Sequence, residues 1–217
     1  MRPSFLTIVA LLPSLLTACS GDLLIRYATA PDKNCRATDN LDSIVKSGRL
    51  DLNHTFFDQQ PVYYLNLSLS CTEAVQLKKA AIRYEWVRGR EIIDSEQNLH
   101  TLFSLEEGEA TYHLSGEIRS DGKYGATFVP DIRVIGPAVG TQLASAGESY
   151  ADSLELGIYV TLHATDGGSS IDSNEFYFPV HFCWGCLDTI CCDGQDAYYP
   201  ACRPGQDDND LAPCQCP

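Results

Sequence analysis

The chain is short of positive charge. It carries 15 Lys and Arg against 29 Asp and Glu over 217 residues, a net charge of −14. Nucleic acid needs a basic surface to meet its phosphates, so the composition speaks against that partner. The same deficit removes electrostatic attraction to anionic lipid. Long apolar runs are also missing. The run Phe5 to Leu16 is broken by Thr7, Pro13 and Ser14, whereas a membrane-spanning helix needs roughly 20 apolar residues. There is no H-E-x-x-H pair, no G-x-S-x-G elbow and no glycine-rich phosphate loop. The sequence signatures of zinc hydrolases, serine hydrolases and nucleotide binders are therefore absent. No internal repeat of roughly 20–50 residues is found, and helical periodicity is nearly absent.

What is present begins at the N terminus. Arg2 is the only charge before Asp22, and an apolar run of about a dozen residues follows it. A basic start, a short apolar run and small residues after it describe a signal peptide. Its end, Leu16-Thr17-Ala18-Cys19, resembles the lipobox of bacterial lipoproteins: an apolar residue, two small residues, then a cysteine. That resemblance implies cleavage before Cys19, acylation of Cys19, and a membrane partner reached through the lipid. Ser20 stands where an aspartate would signal inner-membrane retention, so the resemblance implies the outer membrane. Ordinary secretion is the alternative. Cleavage after Ser20, with Ala18 and Ser20 at the small-residue positions, leaves a soluble secreted or periplasmic protein.

Cysteines are unevenly spread. Cys35 and Cys71 stand apart, whereas Cys183, Cys186, Cys191, Cys192, Cys202, Cys214 and Cys216 crowd into the end of the chain. In an exported protein all nine are disulfide candidates. If Cys19 is acylated, nine is an odd number, so one thiol has no intramolecular partner. Cys71 continues an inward series, and Cys35 is its expected partner by exclusion. That bridge would contribute roughly 3–4 kcal/mol on the loop-entropy account.

Strand signals dominate the middle. Leu65, Leu67, Leu69 and Cys71 alternate with Asn66, Ser68 and Ser70, which predicts one buried and one wet face. Ile82, Tyr84 and Trp86 alternate with Arg83 and Glu85. Residues 110–118 and 124–134 predict further strands, the latter interrupted at Pro130. Leu154, Leu156, Ile158, Val160 and Leu162 alternate, Asp166-Gly167-Gly168 marks a turn, and Phe176, Phe178, Val180 and Phe182 alternate again. These two runs should pair as an antiparallel hairpin. Pro179 makes the second run an edge strand, or else turns away from the ladder. Leu23-Leu24-Ile25 with Tyr27 reads as a first strand or a tether, and residues 39–46 as one helical turn capped by Asp39 or Asn40. The expected fold is an all-β antiparallel sandwich, Ig-like in its narrower form with Trp86 as core tryptophan, plus a small disulfide-rich C-terminal appendage. The expected divisions are 1–18 signal peptide, 19–58 tether and first strand, 59–182 sandwich, and 183–217 cysteine-rich tail.

Several constellations invite chemistry. Cys183-Trp184-Gly185-Cys186 follows a strand, as in thioredoxin-like sites, but no supporting helix or βαβ pattern surrounds it. Half a zinc ribbon is there, with a poor second half at Cys214-x-Cys216. Asp207, Asp208, Asn209 and Asp210 lack the alternate spacing of a calcium loop. His163 and His181 sit on the outward phase of the late hairpin, where they could face each other as surface neighbours. The expectation is a non-enzymatic, lipid-anchored envelope protein acting as a structural or binding module, with no cofactor, metal or catalytic residue. The alternative is an exported thiol-disulfide oxidoreductase using Cys183 and Cys186.

Overall fold

A computed structural model of the chain describes residues 22–32, 36, 38–53, 61–72, 74–89, 110–118, 125–145, 147–186 and 206–207, with 110–118, 125–127 and 207 as backbone alone. The expected signal peptide (1–18), Cys19, Cys35 and the cysteines from Cys191 onward lie outside the described residues.

Two sheets form a sandwich-like pair of layers. One contains β1 (Leu23–Thr29), β2 (Ile44–Val45), β4 (Tyr63–Cys71) and β7 (Gly125–Ile135), in the order β2-β1-β4-β7. The other contains β3 (Gly48–Asp51), β5 (Val75–Arg88), β6 (Ala110–Ile118), β8 (Glu155–Asp166), β10 (Phe176–Cys183) and β11 (Gln206–Asp207). Their order is β11-β3-β10-β8-β5-β6, with β9 (Ser169–Asp172) paired to β8. Apolar side chains from both sheets fill the space between: Leu65, Leu67 and Leu69 from β4, Leu156, Ile158 and Val160 from β8, Phe178 and Val180 from β10. The Tyr63 and Phe178 rings meet across the layers with centroids 6.0 Å apart. The Tyr84 hydroxyl crosses them too, donating to the Val134 carbonyl at 2.6 Å.

The late hairpin forms as predicted. Val160 faces Phe176, Ile158 faces Phe178 and Leu156 faces Val180. The turn at Gly167 and Gly168 first feeds the short β9, however, and only then β10. β10 is not an edge strand. β3 joins it in parallel from Val180 to Cys183, so Pro179 sits just before that ladder begins and costs it no donor. Asn40 accepts from the Asp42 amide and caps a single 3-10 turn, Leu41–Ser43. The segment 19–58, read in sequence as tether and first strand, supplies β1 to the centre of one sheet and β3 to the other.

Three features depart from the pattern. The second face of β4 is not wet: Asn66 and Ser68 are both buried. Tyr27 and Phe128 lie either side of Ser68 in register. Asn66 spans its neighbours, donating to the Thr29 carbonyl at 3.2 Å and accepting from the Asp131 amide at 3.1 Å. Residue 130 does not split β7. The strand runs through a register shift there, with Asp131 at φ 59°, on a sheet edge where a proline leaves no donor missing. Finally, α1 (Pro137–Ala144) and α2 (Glu148–Ala151) cross between the sheets, an unpredicted insertion that opens with a proline at its first turn.

Candidate functional site

The C-x-x-C turn is where the sequence-predicted residues meet structure. Parallel pairing with β3 puts Cys183 opposite Asp51. Cys183 and Cys186 are joined as a disulfide. Asp51 is only 1% exposed, and its Oδ1 accepts from the Asn53 amide at 2.9 Å and the Gly185 amide at 2.8 Å. The Leu52 amide donates to the Cys183 carbonyl at 2.8 Å. The turn is thus fastened to β3 by main chain on one side and by a buried carboxylate beneath it. Gly185 takes φ 67°, a left-handed value that glycine reaches without steric cost. Trp184 packs against the rim of the core.

Asp51, Cys183 and Cys186 bring their ligand atoms within 4.8 Å of one another. While the sulfurs are bonded to each other they offer no thiolate, and the group acts as a staple. Reduced, it would present two thiolates and a carboxylate, a set that suits zinc. Cys183 is buried, and the chain bends over Trp184–Cys186. No helix N-terminus supports either sulfur among the described residues, so the device that lowers a catalytic thiol's pKa is missing there.

Cys71 points into the core as predicted, but it is a free thiol, so the bridge to Cys35 is not formed. Register explains this. Cys71 pairs with Leu23 at one end of β1. Asp32 and Arg36, which flank residue 35 and hydrogen-bond to each other at 2.8 Å, follow the Thr29 end. Those ends are about 20 Å apart at roughly 3.3 Å per residue. Burial pushes the Cys71 thiol above its ordinary pKa.

The tail returns to the sandwich. β11 pairs antiparallel with β3. The buried Gln206 side chain accepts from the Tyr64 amide at 2.8 Å and donates to the Tyr64 carbonyl at 2.7 Å, so an amide side chain stands in for a strand partner in the opposite sheet. The acidic run after Asp207 lies outside the described residues. His163 and His181 do not face each other. His163 Nδ1 lies 2.6 Å from Asp172, and His181 Nδ1 lies 3.3 Å from Glu155, because register sets each histidine opposite a carboxylate.

Sequence reasoning missed Asp51 and Gln206, since nothing in Gly48-Arg49-Leu50-Asp51 marks that acid as buried. It also passed over the outward phase of three paired strands, where Arg83, Tyr159 and Tyr177 stand in one row. The signal was legible as tyrosines on the polar phase of both halves of the late hairpin. No protein-family profile, curated protein or solved structure matches the chain significantly.

Proposed function

We propose that the chain is a non-enzymatic lipoprotein of the bacterial cell envelope, held at the outer membrane through acylated Cys19 and presenting an Ig-like sandwich as a structural or binding module. The observation that carries this reading is the free, buried Cys71. Ten cysteines less Cys19 leave an odd nine. Cys71 accounts for the odd one, and the remaining eight can all pair, as an oxidising compartment favours. With Cys183 bonded to Cys186, five tail cysteines remain, Cys191, Cys192, Cys202, Cys214 and Cys216. An even count then needs Cys35 bridged to one of them. Three residues separate Cys19 from β1, so a lipid on Cys19 would hold the sandwich about 10 Å from the membrane surface.

The Ig-like reading is supported by strand order. β1-β4-β7 against β10-β8-β5 follows the A-B-E and G-F-C orders, with β6 in the place of C′. Trp86 lies on β5, the counterpart of the tryptophan-bearing strand, and packs partly buried on the core. Intact mass spectrometry of native protein tests the proposal. The expected species starts at Cys19, carries acyl chains and has lost eight hydrogens to four disulfides. An unacylated chain starting at Gly21 would overturn the lipid anchor.

One observation favours a second reading, a thiol-disulfide oxidoreductase: the buried Asp51 carboxylate lies within 4.8 Å of both sulfurs of the Cys183–Cys186 pair. Equilibration with a dithiol buffer decides it. A catalyst gives a readily reducible pair that turns over substrate dithiols; a staple resists mild reductant.

A further inference from the structure

The outer face of the larger sheet carries an organised row of side chains that the fold itself does not need. Arg83, Tyr159 and Tyr177 are in direct register across β5, β8 and β10. The Arg83 guanidinium lies 3.8 Å from the Tyr159 ring centroid. Two carboxylates flank it, Glu175 at 2.9 Å and Glu85 at 3.6 Å. The Glu85 carboxylate also lies close enough to the Tyr159 hydroxyl to raise its pKa. The molecule therefore holds one cation on a tyrosine face between acids.

Beside it, the same chemistry repeats with its seat open. Tyr177 packs against Tyr159, with centroids 5.0 Å apart and planes at 50°. Tyr177 is 44% exposed and neighbouring Val87 is 49% exposed. Gly157 is what lets them lie there. A Cβ on that residue would stand 2.8 Å from Tyr177 Cε2 and 3.2 Å from Val87 Cγ2, so any side chain would lift the ring off the sheet. Glu155 and Glu85 are close enough to act on the Tyr177 hydroxyl, whose pKa is raised first by burial and then by these two charges. Glu155 is half-satisfied by His181 at 3.3 Å, a partner that is cationic only when protonated. Counting fixed charges around the row, Glu85, Glu155 and Glu175 outnumber Arg83 and Arg88 by one; Arg88 pairs with Glu155 in register but turns its guanidinium to the Asp152 carbonyl at 3.3 Å.

An exposed tyrosine and valine beside an excess of carboxylate is attractive to a cation with an apolar stem. We infer that this face docks a basic protein segment, with a lysine or arginine of the partner laid over Tyr177 between Glu85 and Glu155. The inference deepens the binding-module reading, since it supplies the chemistry of the partner. It does not depend on the lipid anchor.

The test uses the full mature chain and a fluorescently labelled octalysine peptide, read by anisotropy at low and at physiological salt. Tyr177→Leu keeps apolar bulk and removes the ring; Glu85→Gln with Glu155→Gln removes two charges from the face. Asp22→Asn with Asp42→Asn removes two charges beside the other sheet and serves as the matched control. The expected result is a weakening of about two- to fivefold for Tyr177→Leu, as an exposed cation–π contact implies. The Glu85/Glu155 pair should weaken binding further, with little change in the Asp22/Asp42 control. Added salt should reduce the affinity of the wild-type chain. If both charge pairs weaken binding equally while Tyr177→Leu has no effect, only the net charge is being sensed and the inference fails. It fails equally if octalysine does not bind. Either outcome leaves the lipid anchor untouched, because mass spectrometry judges that separately.

Discussion

Removing the Asp51 carboxylate should destabilise the protein more than removing the disulfide it supports. Asp51→Ala deletes hydrogen bonds at 2.9 and 2.8 Å to the Asn53 and Gly185 amides in a buried setting. Each bond to a charged acceptor contributes about 1.5–3 kcal/mol, so the loss should be about 3–5 kcal/mol after allowing for imperfect additivity. The Cys183–Cys186 bridge closes a loop with a sequence separation of 3, for which the loop-entropy account gives only about 2 kcal/mol. Both hold the same turn. The triple variant Asp51→Ala, Cys183→Ala, Cys186→Ala should therefore lose less than the sum, by about 1 kcal/mol. Asp51→Asn keeps an acceptor oxygen and should fall between wild type and alanine. Urea unfolding followed by tryptophan fluorescence reads all four variants, since Trp184 sits within the turn. A cost below about 1 kcal/mol for Asp51→Ala, or one smaller than that of the cysteine pair, would refute the claim that the carboxylate fastens the turn.

Two further predictions concern the core. Ser68 Oγ is buried without a hydrogen-bond partner, so Ser68→Ala should be neutral or stabilising by about 1 kcal/mol, seen as a higher urea midpoint; a clear loss of stability would show that the hydroxyl is satisfied. Burial pushes the Cys71 thiol above its ordinary value of 9.0. As pH rises the unfolded chain ionises first, so the stability owed to the neutral thiol is whole below pH 9.0 and drains away above it. The difference in stability between wild type and Cys71→Ala should narrow between pH 8 and pH 10, about one unit either side of that value, and iodoacetamide should label Cys71 only in denaturant. Rapid labelling of the native chain would contradict its burial.

Much of the fold was legible because a two-residue period is a local property. The alternations in β4, β5, β8 and β10 predicted which side chains face inward, and those sets are buried except for Trp86 and Phe176, which are partly buried. What alternation does not carry is the partner of a strand. Nothing local announced that β3 would run parallel to β10, and that pairing is what buries Asp51 and what denies β10 an edge. The Cys35–Cys71 expectation failed for the same reason. Counting cysteines treats them as equivalent, whereas the β1–β4 register sends Cys71 to the end of the strand away from the residues flanking position 35.

By itself the sequence determined the chemistry available: an acidic chain, an N-terminal stretch that resembles a lipobox, a cysteine-rich end, and strands with defined inner faces. Tertiary structure alone decided which of those groups meet. Side chains distant in sequence become neighbours only through register, so Arg83, Tyr159 and Tyr177 form one row, and Gln206 reaches Tyr64 across 142 positions. Burial then decides which of them is an accessible surface and which, like Asp51 and Cys71, is a core group held by its surroundings.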